Sequence, residues 1–218
     1  MTGVKISGKK DAVDDFVKLR FRKYSKSLAD AVMGGSSLVR CGRQEVLFAQ
    51  GEPSAHCCYL VSGLVRLNRV REDGKEITIK YIFPGELTDS AVVVTKSLFG
   101  AMTLERSELL VVERECIKRL IMADSELLET QLQRCATDMI HLVGLIESHA
   151  LNGTRERLCA YLEQYAGREH RKNFRLPVPR CELAVLLGST PENLSRVIKQ
   201  MTKEGCLTIK GREVQLFY

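Results

Sequence analysis

The chain has 218 residues, 44% of them hydrophobic and 28% charged, and a formal net charge of +6. That content supports a packed core. No apolar run reaches the roughly 18 residues of a membrane-spanning helix and the first residues, MTGVKISGKKDAVDDF, lack the apolar stretch of an export signal, which sets the expectation at cytoplasmic.

Residues 11–33 are predicted to form one helix, with Val13, Phe16, Val17, Phe21, Tyr24 and Leu28 near helical spacing. Leu19 lies off that stripe and Arg20 lies on it. Lys18, Arg20, Arg22, Lys23 and Lys26 make the segment basic, which suits nucleic acid but reads first as a solvated face. From about 38 to 113 the texture changes to short strands and turns. EVLFAQGEP ends in a Gly-Glu-Pro turn, and Ser62-Gly63 divides CCYLVSGLVRLNRV. Asp73-Gly74 is a two-residue hairpin signal, after which Ile77, Ile79 and Tyr81 alternate. SELLVVE reads as a late strand. Several short antiparallel strands imply a barrel or roll.

Residues 124–152 read as one long helix. Leu128, Leu132, Cys135, Met139, Leu142, Ile146 and His149 recur at alternating spacings of four and three, the a/d seam of a coiled coil. At ~1.5 Å per residue the helix is roughly 42 Å long. Its regularity points to pairing with a second copy. Asn152-Gly153 is a helix stop or hinge. TRERLCAYLEQYA is a further amphipathic helix, and GREHRKNFRLPVP a polar connection. Residues 154–218 hold twelve Lys+Arg and seven Asp+Glu, a net +5, so the last third carries most of the positive charge. That suits a polyanionic partner.

RCELAVLLGSTPENLSRVIKQM has the layout of a helix-turn-helix, with a first helix at about 180–187. Ala184 sits where the helices approach most closely, and Gly188 sits at the tight turn, where positive φ is convenient. Leu183, Leu187, Leu194 and Val197 fill the space between helices. Ser189 or Thr190 can cap the second helix, and Pro191 fits its first turn. At ~100° per residue, Leu194, Val197, Ile198 and Met201 share one side, and Glu192, Ser195, Arg196 and Lys199 the other. One side holds such a helix to its domain while the other faces the major groove. Lys210-Gly211 then joins two alternating runs in GCLTIKGREVQLFY, a small hairpin or wing.

A roll, a heptad helix and a winged helix-turn-helix, in that order, resemble the CRP/FNR superfamily of bacterial transcription regulators over residues 14–218. The resemblance rests on VLFAQGEPSAHCCYLVSGLVRLNRVREDGKEITIKYIFPGE and on the helix-turn-helix. It implies an α+β fold: an antiparallel, cyclic-nucleotide-binding-like β-roll sensor domain with its N-terminal helix (1–123), a long dimerisation helix (124–153) and a winged helix-turn-helix (154–218). It also implies a homodimer on palindromic double-stranded DNA, contact with RNA polymerase, and no enzymatic activity. ENLSR matches the FNR-like E-x-x-S-R pattern, which carries base reading onto Glu192, Ser195 and Arg196. Arg196 can donate twice to guanine, Glu192 can accept from a cytosine amino group, and Ser195 can contact a neighbouring base. Pro191 stands where the cyclic-AMP-receptor type has an arginine, so the implied half-site is TTGAT-like, not TGTGA-like. Lys199 and Arg180 are the expected phosphate contacts.

The signal is less legible. Nucleotide-binding members carry Gly-Glu-Leu followed about ten residues later by Arg-Ser/Thr-Ala. Here Gly85-Glu86-Leu87 is followed by TDSAVVVTKSLFGAM, where Lys96 is the nearest cation. Lys96 lacks the planar fork that grips a phosphate, and Glu86 also fits an ordinary turn. Glu86 and Lys96 are thus the candidate effector residues, with a cyclic nucleotide disfavoured. An iron–sulfur cluster is disfavoured because Cys41 is the first cysteine. Haem remains open through His56, His141 or His149, as does a thiol switch at Cys57, Cys58 or Cys135. One of Cys57 and Cys58 is expected to point into the roll. The eight cysteines include no C-x-x-C pair. The competing readings are a cofactor- or metal-binding redox protein on the same roll, and a regulator whose roll is a ligand-free scaffold.

Overall fold

The structure is a computed structural model that describes residues 8–74, 76–88, 95–169 and 172–217, without the side chains of 141, 145, 148–150, 164, 168 and 169. Two helices, not the single expected one, open it: α1 (Lys9–Phe21) and α2 (Lys26–Gly34). The break falls at Arg22, which adopts the left-handed region at φ 54°. Ser25 then caps α2, accepting a hydrogen bond from the Leu28 amide at 3.2 Å. Val13, Phe16, Val17, Phe21 and Leu28 are buried, with Arg20 among them, whereas Tyr24 in the break is exposed. The break turns two short apolar faces onto one core, which a single straight helix could not do.

Among the described residues seven strands make up the roll: β1 (Ser36–Cys41), β2 (Val46–Phe48), β3 (His56–Ser62), β4 (Val65–Val70), β5 (Glu76–Ile82), β6 (Gly100–Thr103) and β7 (Ser107–Glu113). They form two antiparallel sheets, ordered β1-β7-β3 and β2-β6-β4-β5. The expected turns are present, with Gly63 at φ 100° and Gly74 at φ 78°. The expected alternation in β5 is not: Tyr81 is buried, but Ile79 is exposed. Opposite Leu67 and Asn68 the register slips by one residue, a bulge that leaves Ile79 without a partner on β4.

The β1-β7-β3 sheet is covered on both faces. Cys57, Tyr59 and Val61 pack with α1, α2 and α3 (Arg114–Met122), while Cys58 and Leu60 pack inside the roll with Val65, Ile82 and Leu109. Both cysteines of the pair are therefore buried, on opposite sides of one strand, and one of them, Cys58, points into the roll as expected. Arg114, at the start of α3, is buried and donates from Nε to the Ser54 carbonyl at 2.7 Å and from Nη2 to the His56 carbonyl at 3.0 Å.

Helix α4 (Ser125–Leu151) matches the long helix expected over 124–152. Asp124 caps it, accepting from the Glu126 and Leu127 amides at 2.9 and 3.2 Å. The Leu127 amide first, and then Lys23 at 3.3 Å, hold the Asp124 carboxyl below its ordinary range.

The chain divides into two compact units between Asp138 and Met139. The second unit contains α5 (Thr154–Glu169), β8 (Asn173–Arg175), α6 (Arg180–Leu186), α7 (Pro191–Lys203), β9 (Leu207–Lys210) and β10 (Glu213–Leu216). Its sheet runs β8-β10-β9, all antiparallel. β8 corrects the polar connection expected there. Phe174 is buried and lies 5.1 Å from the Tyr165 ring, and Leu176 and Val178 continue the alternation. Leu158, Leu162, Leu183, Leu194 and Leu207 complete this core.

Candidate nucleic-acid interface

The geometry of α6 and α7 follows from local chemistry. Gly188 takes φ 58°, and the Gly188 and Ser189 amides close the end of α6 on the Val185 and Ala184 carbonyls. A residue with a side chain is strained there. Ala184 is wholly buried at the crossing. Of the two candidate caps the structure uses Thr190, whose Oγ1 accepts from the Asn193 amide at 3.2 Å, with Pro191 as the first helical residue.

Leu194, Ile198 and Met201 face the core of the unit, and Val197 lies at the edge of that face. On the other side Glu192, Arg196 and Lys199 are exposed and Ser195 is half-buried. Glu192 stands in the first turn, where the helix dipole favours a carboxylate. Arg196 is oriented within this exposed face, donating from Nη2 to Asn193 Oδ1 at 2.7 Å. The Asn193 amide in turn donates to Thr154 Oγ1 and Ser189 Oγ, both at 2.9 Å. The sequence reading passed over Asn193, because its partner Thr154 lies 39 residues away.

Arg180 is placed differently from Lys199. It is half-buried at the start of α6, and its Nη2 donates to the Ile209 carbonyl on β9, tying the helix-turn-helix to the wing. Arg212, between β9 and β10, donates from Nε to the Leu176 carbonyl at 2.7 Å and ties the wing to the segment that leads from β8 into α6. Arg157 of α5 donates to the Leu187 carbonyl at 2.8 Å. Arg155 pairs with Glu204, just past the end of α7, at 2.5 Å. This pairing pulls the Glu204 carboxyl below and the Arg155 guanidinium above their ordinary values.

On α4 the seam residues Leu128, Leu132, Met139, Leu142 and Ile146 are between 39% and 68% exposed, and Cys135 is exposed with them. Ile140 and Val143, outside the expected seam, are exposed as well and widen the apolar stripe. The side chain of His149 lies outside the described residues, as does that of His141.

The roll encloses a cavity of about 280 Å³, lined mainly by apolar groups such as Phe48, Phe99, Leu109 and Val111, with Cys41 and Cys58 among them and Ser54, Thr88 and Arg114 as polar lining. Among the described residues neither Glu86 nor Lys96 lines it. Glu86 accepts from the Phe83 amide at 3.1 Å and closes its own turn, and Lys96 bridges to Pro53 through the backbone. No arginine occurs between Leu87 and Glu105, and residues 89–94 of that stretch lie outside the described residues. His56 is exposed. Burial pushes the Cys58 thiol up to about 12, which keeps it protonated and unreactive at neutral pH. Among the described residues no group of three His, Cys, Asp or Glu is arranged to hold a metal ion, and no helix is long and apolar enough to cross a membrane.

Comparison with known proteins places both units. Residues 38–124 match the cyclic nucleotide-binding domain, and residues 156–217 match the Crp-like helix-turn-helix domain. The chain is 27% identical over 187 residues to the nitrogen fixation regulation protein FixK of Rhizobium meliloti, covering 84% of each. Its fold is similar to that of FixK2 from Bradyrhizobium japonicum, with a TM-score of 0.75, 19% identity, and coverage of 84% of this chain and 93% of that one. The regulator CLP of Xanthomonas campestris gives a TM-score of 0.67 at 21% identity, over 87% of this chain and 97% of that one.

Proposed function

Because this chain belongs to the CRP/FNR family of transcription regulators, we propose that it acts as a homodimer that binds palindromic DNA with TTGAT-like half-sites. Glu192, Ser195 and Arg196 read the bases, and Lys199 supplies a phosphate contact. Arg180, bound to the wing carbonyl, acts on phosphate only through whatever donors that bond leaves it. The observation that carries this reading is the division of α7: Leu194, Ile198 and Met201 are fixed in the core, while Glu192 and Arg196 are presented to solvent. Direct readout requires that arrangement, since an arginine must reach guanine O6 and N7 from a helix held firmly behind it.

The exposed apolar stripe of α4 supports pairing with a second copy along Leu128, Leu132, Cys135, Met139, Leu142 and Ile146. A dimer places two reading helices for successive major grooves, about 34 Å apart. The functional segments are then the roll (1–123), the dimerisation helix (124–153) and the reading domain (154–218). DNA-bound dimers contact RNA polymerase.

The signal acts as a population shift between a form that fits the palindrome and one that does not. The roll cavity is its site, and the lining favours a small, largely apolar effector over a cyclic nucleotide, whose ribose and phosphate require several polar partners. Random-pool DNA selection with the full-length protein, with and without nitric oxide and oxygen, tests half-site and signal together. Recovery of TTGAT palindromes supports the reading, and enrichment of no motif overturns it.

A further inference from the structure

Resting on the base-reading role of Arg196, we infer that Asn193 is the positioning residue of the reading face, holding the Arg196 guanidinium through a relay that begins at Thr154 on α5.

The relay is written in four hydrogen bonds. Thr154 Oγ1 donates to Ser189 Oγ at 3.2 Å. The Asn193 amide nitrogen donates to both of these hydroxyls at 2.9 Å. Arg196 Nη2 donates to Asn193 Oδ1 at 2.7 Å. The orientation of the Asn193 amide is dictated by chemistry. A guanidinium only donates, so the amide oxygen must face Arg196, and the amide NH₂ is left for the two hydroxyls. Three neighbours restrain Asn193, two at its side-chain amide nitrogen and one at its backbone amide. Ser189 belongs to the turn between α6 and α7, Thr154 is the first residue of α5, and Asn193 is capped at its own backbone by Thr190.

The consequence lies in the entropy of Arg196. A long exposed arginine has considerable rotamer freedom to lose when it docks on a base edge. Asn193 removes part of that freedom before DNA arrives, and because the lowered ordering cost strengthens only the complex in which Arg196 docks on its base, the gain falls on matched over mismatched DNA. The anchoring point matters too. Thr154 follows the end of α4 by three residues, through Asn152 and Gly153. The side chain that reads the base is thus hydrogen-bonded in series to the start of the helix that follows the dimerisation helix.

The test uses the full-length protein and a duplex recovered by random-pool selection, alongside the same duplex with the guanine pair of each half-site replaced by an adenine pair. The readout is the ratio of the two dissociation constants by fluorescence anisotropy. Asn193→Ala is expected to lower that ratio about three- to tenfold, and Asn193→Asp, which keeps an acceptor for Arg196, to restore most of it. Thr154→Val is expected to lower it by a smaller factor. A role in folding alone would weaken binding to both duplexes equally, and an unchanged ratio in Asn193→Ala overturns the inference. An unchanged ratio in Thr154→Val overturns the arm that reaches α5. Arg196→Ala separates the two levels: if it leaves the ratio intact, base reading by Arg196 is itself wrong, whereas a collapsed ratio there with an intact one in Asn193→Ala sinks only the relay.

Discussion

Cys57 and Cys58 are consecutive in β3 and belong to different cores: Cys57 packs among the N-terminal helices, and Cys58 inside the roll. Burial first, then the neighbouring Cys57, raises the Cys58 thiol from 9.0 to about 12. A group raised in this way favours the folded state in its neutral form. Its contribution is whole below pH 9 and is lost as pH climbs from 9 toward 12. Urea midpoints should therefore decline across that window. At pH 8 iodoacetamide should label the exposed Cys181 in the folded protein and spare Cys58. Rapid labelling of Cys58 without denaturant would show that it is open to a redox signal after all.

Gly63 is the most constrained glycine of the roll. At φ 100° a Cβ there would come within 2.7 Å of the Arg106 carbonyl oxygen and 2.8 Å of Ser107 Cα, both backbone atoms that cannot swing aside. Gly63→Ala should cost on the order of 3 kcal/mol in urea unfolding. Gly74 shares the positive φ, at 78°, but a Cβ there meets nothing within 4 Å. Gly74→Ala should cost only about 1 kcal/mol of backbone strain. Equal losses at both positions would mean that the close approach to β7 is not what demands Gly63.

Leu142 and Ile146 are more than half exposed on α4, so replacing them should disturb no core. The double variant Leu142→Glu/Ile146→Glu should sediment as a monomer while its roll unfolds within about 0.5 kcal/mol of the parent. A dimer that survives both charges would move the interface elsewhere.

Arg196→Ala should lose about 1–3 kcal/mol of specific binding per half-site contact, with nonspecific binding nearly unchanged. Lys199→Ala should behave oppositely, weakening all sequences alike and reducing the salt slope by about 1 per reading head. Footprints and anisotropy titrations at several salt concentrations separate the two. An undiminished footprint in Arg196→Ala would remove it from the base-reading set.

Where local chemistry decides, the sequence was a good guide. Gly188, Thr190 and Pro191 specify the turn and cap within four residues, and α7 forms as expected. The long helix was equally legible because its apolar repeat has few alternatives. Failures came where a distant partner or a single extra residue decides. The break at Arg22 carries no Gly or Pro, although Ser25 before Lys26 was a readable cap. The bulge at Ile79 leaves a perfect alternation in the text and a broken one in space. β8 was hidden in a charged stretch, where only Phe174, Leu176 and Val178 betray it. Asn193 gave no signal at all, since its meaning depends on Thr154.

Helix α7 is fastened at both ends to neighbouring residues of α5: Asn193 to Thr154 near its beginning, and Glu204 to Arg155 just beyond its end. A rod pinned at two separated points cannot spin about its own axis, nor tilt by pivoting on one end. These two contacts oppose any rotation of α7 that would turn its exposed face independently of α5. A change in the direction of α7 therefore carries α5 with it.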